Sequence, residues 1–296
     1  MPNAQTQRVY RLMDEAAAFY NRDDVEHAYR SACAVLALSA DFAPALHLRG
    51  LCEWRRGDLA AAAASIRQAL HSGPRDARRL HDLAGVYADR EMWALAAETL
   101  QEAIGLRPDN AGSHLNLGRV YENLGEHGAA ERAYRKALEL DPHSAAAAGN
   151  LAALCEESNR LDEADAMVRM ALALDSNDVL SNLTRAQLLI RNGHDREAAA
   201  RLEKFLARSD LSPGNRAVAL ARLGAAREGF GDYDRAFEAF RDSNAVFLGP
   251  AGSTADAGVY TLETVRRIRR CQTALLPSRN TAVTAERPVF LVGFPR

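Results

Sequence analysis

The chain has 296 residues, of which 48% are hydrophobic and 26% charged, and its formal net charge is −2. This near-neutral balance lacks the basic excess of nucleic-acid-binding proteins, so the sequence predicts no nucleic-acid partner. No stretch approaches the run of about 18 apolar residues that spans a membrane, and the N-terminal residues MPNAQTQRVYRLMDEAA lack the apolar core of a signal peptide. We therefore expect a cytoplasmic protein with no membrane partner.

Arginine outnumbers lysine by 35 to two, and alanine is abundant. We interpret this as a bias in genomic base composition, expect a bacterial source, and expect most arginines on a solvated surface. The four cysteines, Cys33, Cys52, Cys155 and Cys271, form no CxxC pair and are predicted to be small buried hydrophobes. The eight histidines form no metal-binding motif, so the sequence predicts no metal site.

In chain order, residues 1–8 read as a frayed tail, and a repeating part follows over residues 9–248. Similar residues recur at a spacing of 34. The first six units start near residues 9, 43, 77, 111, 145 and 179. The seventh starts near residue 217, because a slip of four extra residues, at 209–214, interrupts the spacing before it. Pro213 and Gly214 lie in this slip and are predicted to interrupt any helix.

The fourth unit shows the internal organisation most clearly, because it reads as two short amphipathic helices and a stop. Gly125 lies where the first helix can end in a left-handed residue, and Pro142 lies where the second cannot continue. The small and aromatic residues expected to pack between the two helices are Leu117, Gly118, Tyr121, Ala130, Tyr134 and Ala137.

This spacing and these residue types resemble the tetratricopeptide repeat (TPR), over about four fifths of the chain. The resemblance implies an all-α fold, a TPR superhelical solenoid of about seven helix-turn-helix repeats in which each unit contacts mainly its neighbours. It also implies a concave groove, lined by the first helices, in which a protein or peptide binds.

The sixth residue of each unit should point into that groove, and four successive units carry hydrogen-bonding residues there. An Asn carboxamide both donates and accepts, so it can pair with an extended peptide backbone whatever the side chains are. This arrangement resembles the asparagine ladder of the O-linked N-acetylglucosamine transferase repeats; the alternative is an ordinary polar surface. The predicted peptide-binding residues are Asp82, Asn116, Arg119, Asn123, Asn150 and Thr184, and His47, His81 and His114 are expected to line the same groove.

After the repeats, residues 249–258 are rich in Gly, Pro and Ser and are predicted to be a linker. Residues 259–276 read as an amphipathic helix with four neighbouring arginines, which we expect to cap the seventh repeat. Its apolar stripe is formed by Val259, Leu262, Val265, Ile268, Leu275 and Leu276. Residues 277–287 read as a loop, and residues 288–296, PVFLVGFPR, read as a buried β-strand that enters a turn at Gly293.

Residues 288–296 resemble a second family, the TPR sulfotransferases. These carry a strand of the form PVFIVGxPRSGTT after their repeats, and it leads into the loop that holds the 5′-phosphate of 3′-phosphoadenosine 5′-phosphosulfate (PAPS), the sulfuryl donor. The resemblance implies that Arg296 contacts the phosphosulfate of PAPS. It also implies that residues 277–296 are the loop and first strand of a truncated sulfotransferase domain.

Two functions follow from these resemblances. In the first, the repeats recruit the acceptor for a sulfotransferase that uses PAPS, and this chain alone is inactive because it contains no complete donor site and no catalytic residues. In the second, the chain is a free-standing adaptor for protein–protein interaction with no chemistry. A glycosyltransferase-associated repeat protein is a third alternative.

Overall fold

The computed structural model describes residues 4–248, and every regular element within that range is an α-helix. The helices form seven consecutive pairs, called repeats one to seven, each with a first and a second helix. Their bounds are α1 Ala4–Asn21, α2 Val25–Leu38, α3 Ala43–Arg55, α4 Leu59–Ser72, α5 Ala77–Asp89, α6 Trp93–Leu106, α7 Ala111–Leu124, α8 His127–Leu140, α9 Ala145–Glu157, α10 Leu161–Leu174, α11 Val179–Arg191, α12 Asp195–Leu206, α13 Pro213–Gly229 and α14 Tyr233–Leu248. The all-α prediction is confirmed for these residues, and the predicted strand lies outside them.

The chain divides into two compact units, with the boundary after Leu188. Unit 1 contains α1 to α10 and most of α11, and unit 2 contains the end of α11 and the helices that follow it. Each unit buries apolar side chains of its own, such as Leu83 and Leu100 in unit 1 and Leu202 and Leu223 in unit 2.

The first helix of the chain begins earlier than the repeat pattern predicts. α1 starts at Ala4, so most of the predicted tail at residues 1–8 is helical in the structure. The reason is tertiary packing: Val9 is only 6% exposed and lies in an apolar cluster with Val35 and Ala45. A helix that is anchored at Val9 extends readily by one more turn.

The slip before repeat seven also differs from the prediction, because Pro213 starts α13 instead of breaking it. Proline suits the first position of a helix, where its missing N–H would have no partner in any case. Ser212 caps the helix, and its side chain accepts a hydrogen bond of 3.2 Å from the backbone N–H of Asn215.

Within several repeats, a glycine on the first helix receives a large side chain from the second helix. A Cβ atom added at Gly118 would lie 2.4 Å from Cε1 of Tyr134, so no larger residue fits without movement. Tyr134 is fully buried. The pairs of this kind, each 16 residues apart, are Gly50–Ile66, Gly118–Tyr134 and Gly224–Phe240.

The turn between the two helices has the same backbone geometry in all seven repeats. In repeat four, the N–H of Gly125 donates to the Glu122 carbonyl at 2.9 Å, and the N–H of Glu126 donates to the Tyr121 carbonyl at 2.8 Å. These two bonds form a Schellman turn, which requires a positive φ at its central residue. The central residues are Asp23, Gly57, Glu91, Gly125, Asn159, Gly193 and Gly231, and all have a positive φ.

In unit 1, the first helices form one continuous layer. Each of α1, α3, α5 and α7 contacts the next first helix, whereas no second helix has as extensive a contact with the next second helix in the described residues. The first helices of unit 1 therefore approach one another more closely than its second helices do.

Candidate functional site on the first helices

The candidate site is the first-helix face of unit 1, formed by His47, Asp82, Asn116, Arg119, Asn123 and Asn150 together with His81. The α7 members are spaced three and seven residues from Asn116, so they share one side of that helix. The side chains at positions 82, 116 and 150 are half-buried, and those at 119 and 123 are exposed. This surface combines partly desolvated hydrogen-bonding groups with a solvated charged edge.

Two hydrogen bonds, which we call rungs, join side chains on consecutive first helices. In the first rung, His47 Nε2 lies 2.8 Å from the Asp82 carboxylate, and both side chains are largely buried. In the second rung, the Asn116 carboxamide lies 3.2 Å from His81 Nε2. Both rungs join residues 35 positions apart, so they occupy equivalent places in successive repeats.

The contacts of His81 are compatible with one neutral tautomer of its ring. If the Asn116 N–H donates to Nε2, the proton of a neutral imidazole lies on Nδ1, which is 3.0 Å from the Ser113 hydroxyl. One proton on Nδ1 then satisfies both contacts.

The series of rungs stops at repeat five, where Asn150 remains unpaired. The residue equivalent to His47 and His81 is Leu115, which has no polar side-chain atom to offer. Asn150 accordingly makes no side-chain hydrogen bond to any of the residues that the structure describes. Its carboxamide is half-buried and retains its full capacity to donate and accept.

Thr184 does not reach the surface of the predicted groove. It is only 2% exposed, and its hydroxyl donates to the Leu180 carbonyl of its own helix at 2.9 Å. Its equivalent partner in the preceding repeat would be Gly149, which has no side chain. The prediction that Thr184 offers a hydroxyl to a peptide is corrected accordingly.

The charged edge of the face lies near the C-terminal end of α7. Arg119 is exposed and its guanidinium has no ion-pair partner within residues 4–248. The Asn123 carboxamide donates to the Arg119 carbonyl at 2.9 Å, which leaves its oxygen available. Glu157, on α9, is exposed as well. The edge therefore offers one free cation and one free anion.

Glu122 connects this edge to the buried interior. The hydroxyl of Tyr134 donates to its carboxylate. Burial raises the pKa of Glu122 above its ordinary value, and the nearby Glu157 carboxylate acts in the same direction. Burial, followed by the neighbouring Glu122 carboxylate, raises the pKa of Tyr134. The Glu122 carboxylate is thus largely shielded from water, and its hydrogen bond from the Tyr134 hydroxyl holds it in place.

His114 lies apart from the other two histidines, because its Nε2 bonds to the Pro108 carbonyl at 3.0 Å. In the described range, no group of three His, Cys, Asp or Glu residues is arranged to hold a metal ion. Cys52 and Cys155 are buried as predicted, and burial raises the pKa of each thiol to about 11. Neither thiol is therefore activated as a nucleophile.

Several predicted features lie outside the described residues. These are the linker at 249–258, the helix at 259–276, the strand at 288–296, Cys271 and the predicted PAPS contact Arg296. None of the helices between residues 4 and 248 combines the length and apolarity that a membrane span requires.

Family models match the centre of unit 1. The model described as tetratricopeptide repeat matches residues 111–144, and a second, described as TPR repeat, matches residues 84–125. Residues 84–144 thus match the tetratricopeptide repeat family. No curated protein matches the chain.

Several solved structures share the fold. PilF from Pseudomonas aeruginosa is 20% identical, with a TM-score of 0.62 over 68% of this chain and 92% of its own. A TPR protein from Parabacteroides merdae is 19% identical, with a TM-score of 0.65 over 91% of this chain and 100% of its own. YrrB, described as a TPR protein with an unusual peptide-binding site, is 20% identical, with a TM-score of 0.51 over 60% of this chain and 96% of its own. At these identities the likeness is one of fold.

Proposed function

We propose that the first-helix face of unit 1 binds an extended, polar segment of another protein, with Asn150 as the central contact. The TPR fold is consistent with protein–protein interaction, and YrrB is a solved TPR protein whose description names a peptide-binding site. The observation that carries the proposal is the unpaired Asn150 carboxamide on a face where the equivalent Asp82 and Asn116 are already paired.

The chemistry of Asn150 suits a peptide backbone. A carboxamide can donate to a peptide C=O and accept from a peptide N–H at once. Both hydrogen bonds involve the peptide backbone, so this recognition does not depend on the peptide side chains. Because the group is half-buried, a bound segment would complete hydrogen bonds that solvent satisfies only in part. Backbone contact at this position therefore favours an extended segment over a helix, whose backbone groups are already paired.

The charged edge supplies the side-chain preference. Glu157 follows Asn150 by two helical turns on the same side of α9, and Arg119 follows Asn116, the equivalent of Asn150, by about one turn on the same side of α7. A segment that crosses both helices would meet a cation and an anion in succession. We therefore expect segments of mixed charge to bind better than segments carrying one sign.

The experiment is to select short unstructured peptides that bind the chain from a display library, and then to measure their affinities by fluorescence anisotropy. Asn150→Ala should weaken binding about 5-fold to 30-fold, which corresponds to one or two lost hydrogen bonds. Lys136→Ala, at an exposed site on the second helix α8, is the matched control and should leave the affinity unchanged. Equal affinities for Asn150→Ala and the parent chain, with unchanged thermal melts, would contradict the proposal.

A finer proposal is that these repeats recruit the acceptor of a sulfotransferase that uses PAPS. Its only support is the resemblance of residues 288–296, including Arg296, to the TPR sulfotransferase strand. The coding sequence beyond codon 296 tests it: a continuation of Ser-Gly-Thr-Thr supports it, and an unrelated continuation favours the free-standing adaptor. Peptide binding to Asn150 is expected in either case.

A further inference from the structure

Two aromatic residues, Tyr20 and Trp54, lie at equivalent positions on the first helices of repeats one and two. Each contacts a residue of the next first helix, and these two partners are again equivalent to one another. The guanidinium of Arg55 lies over the ring of Tyr20, 4.4 Å from its centroid. Trp54 instead donates its indole N–H to the Asp89 carboxylate at 2.6 Å. The two rings therefore have neighbours of opposite charge.

The ring of Tyr20 has a cation from its own chain, whereas that of Trp54 has none among the described residues. Arg55 is held by Tyr20 and by an ion pair with Asp23. Within residues 4–248, no Lys or Arg side chain lies over the Trp54 ring, and Asp89 forms no ion pair. Trp54 is half-buried and Asp89 is exposed. Part of the indole and a carboxylate are thus accessible side by side.

The Trp54 indole is held in place by the chain itself. Its N–H is bonded to Asp89, and a Cβ atom added at Gly85 would lie 2.4 Å from Cη2 of Trp54, so the ring closely approaches α5. Trp54 follows His47 by two helical turns, which places it on the same side of α3 as the first rung. The Trp54–Asp89 pair therefore extends the first-helix face of unit 1, and a group that is already ordered loses little entropy on binding.

We propose that Trp54 and Asp89 form a subsite for an arginine side chain of the segment that binds the first-helix face. The guanidinium lies over the indole, as Arg55 lies over Tyr20, and donates to the Asp89 carboxylate. Arginine suits this pair better than lysine, because a planar guanidinium stacks on a ring and donates from its edge at the same time. This subsite rests on the proposed function, since the segment that Asn150 holds supplies the cation.

The spacing of the helices places the arginine within the segment. Consecutive first helices from α3 to α9 are in contact, which gives three steps between Trp54 and Asn150. At about 8–10 Å per step, the two contacts are roughly 24–30 Å apart. An extended chain spans that distance in about seven to nine residues. We therefore expect the arginine about seven to nine residues from the residue whose backbone bonds to Asn150.

The test is an NMR titration that follows the indole N–H signals of the full chain, which has two tryptophans. Trp54→Phe identifies the Trp54 signal by its loss. The probes are acetyl-Gly-Arg-Gly-amide and its citrulline analogue, which has a similar shape and no charge. The arginine peptide should shift the Trp54 signal saturably and bind about threefold to thirtyfold more tightly than the citrulline peptide. The Trp93 signal should not move.

Two matched substitutions test the carboxylate. Asp89→Asn keeps an oxygen that accepts from the Trp54 indole and removes the charge, so it should abolish the preference for arginine. Asp109→Asn removes the same charge from an exposed loop at the other end of α6 and should keep that preference. Equal affinities for the two peptides, or a preference that survives Asp89→Asn, would overturn the proposal.

A longer peptide distinguishes this subsite from the proposed function. In a peptide selected for binding to the chain, replacing the arginine with citrulline should lower the affinity for the parent chain by the same factor, and should have no effect on binding to Asp89→Asn. The tripeptide is too short to reach Asn150, so Asn150→Ala should leave its titration unchanged. An arginine preference without any effect of Asn150→Ala on the longer peptide would contradict the proposed function alone. The reverse result would contradict the subsite alone.

Discussion

Two contacts of α7 differ in what they require. On one side, Gly118 meets the ring of Tyr134 within the same repeat, where a single added carbon atom would lie 2.4 Å from the ring. On another, Asn116 meets His81 of the preceding repeat through a hydrogen bond of 3.2 Å. The first contact depends on volume and tolerates no enlargement. The second depends on matching a donor with an acceptor, and it disappears without loss of packing where one partner is Leu115.

Gly118→Ala should have the largest effect on stability. The added methyl group must displace the buried Tyr134 ring, so we expect the free energy of unfolding to fall by about 1–3 kcal/mol. The control is Gly105→Ala in α6, where a Cβ would meet nothing within 4 Å. Removing a helical glycine there should raise stability by about 0.5–1 kcal/mol. Urea denaturation of both variants measures the difference, and losses of equal size would refute the packing argument.

Glu122→Gln should give a smaller change of opposite sign at neutral pH. Burial raises the pKa of Glu122 in the folded protein above its ordinary value of 4.5. The contribution of the Glu122 carboxyl group to folding stability is therefore fully present below pH 4.5 and is lost as the pH rises through the folded-state pKa. Gln still accepts from Tyr134 but has no charge to desolvate, so the variant should gain stability at pH 7 and little at pH 4.

Glu139→Gln is the control for that experiment. The Lys136 ammonium lowers the pKa of the exposed Glu139, so this variant should lose a little stability at pH 7. Denaturant titrations at the two pH values give both results. A gain by Glu139→Gln at pH 7 equal to that of Glu122→Gln would show that burial is not the cause.

Glu131→Gln tests a contact between repeats on the second-helix side. Glu131 accepts from both Arg160 and Arg135, and these bonds lower the pKa of its carboxylate. The substitution should cost about 0.5–1 kcal/mol at low salt and less at high salt, because the site is partly exposed. If the Arg160 contact carries the effect, adding Arg160→Gln should cost only the loss of the remaining bond from Arg160 to Glu163, which is 3.0 Å long.

The two asparagines should give the smallest effects on stability and should differ from each other. Asn116→Ala removes a rung, so we expect a loss of about 0.5–1 kcal/mol. Asn150→Ala removes no contact within the described residues, so its stability should stay within about 0.5 kcal/mol of the parent. Thermal melts of both variants test this difference, and a larger loss for Asn150→Ala would mean that its carboxamide already has a partner.

The sequence predicts the packed side of each repeat better than the polar side. Gly118 and Tyr134 are identifiable because their types and their spacing recur with the repeat, and each contact lies within one helix pair. A rung depends on two residues in different repeats that must match chemically. Nothing in the recurring pattern distinguishes the paired Asn116 from the free Asn150, or indicates that Thr184 is buried.

The ends of the array were predicted least well, because local rules and tertiary contacts compete there. The repeat pattern places the first helix at residue 9, but burial of Val9 supports a helix from Ala4 onward. Pro213 reads as a helix breaker, yet it is the first residue of α13, where proline is favourable. In both places the sequence pattern predicts a helix correctly but places its first residue wrongly.

The identical turns have a consequence for how such a chain can evolve. Each turn is closed by two hydrogen bonds between backbone atoms, so its geometry does not depend on the identity of the neighbouring side chains. A 34-residue segment that runs from one turn to the equivalent point of the next contains all the backbone atoms that form the two hydrogen bonds of one turn. Duplication or loss of such a segment within unit 1 leaves every remaining turn intact, and changes only which residues meet across the new junction. The length of the array can therefore change in whole modules, while specificity is adjusted by substitutions at the junctions.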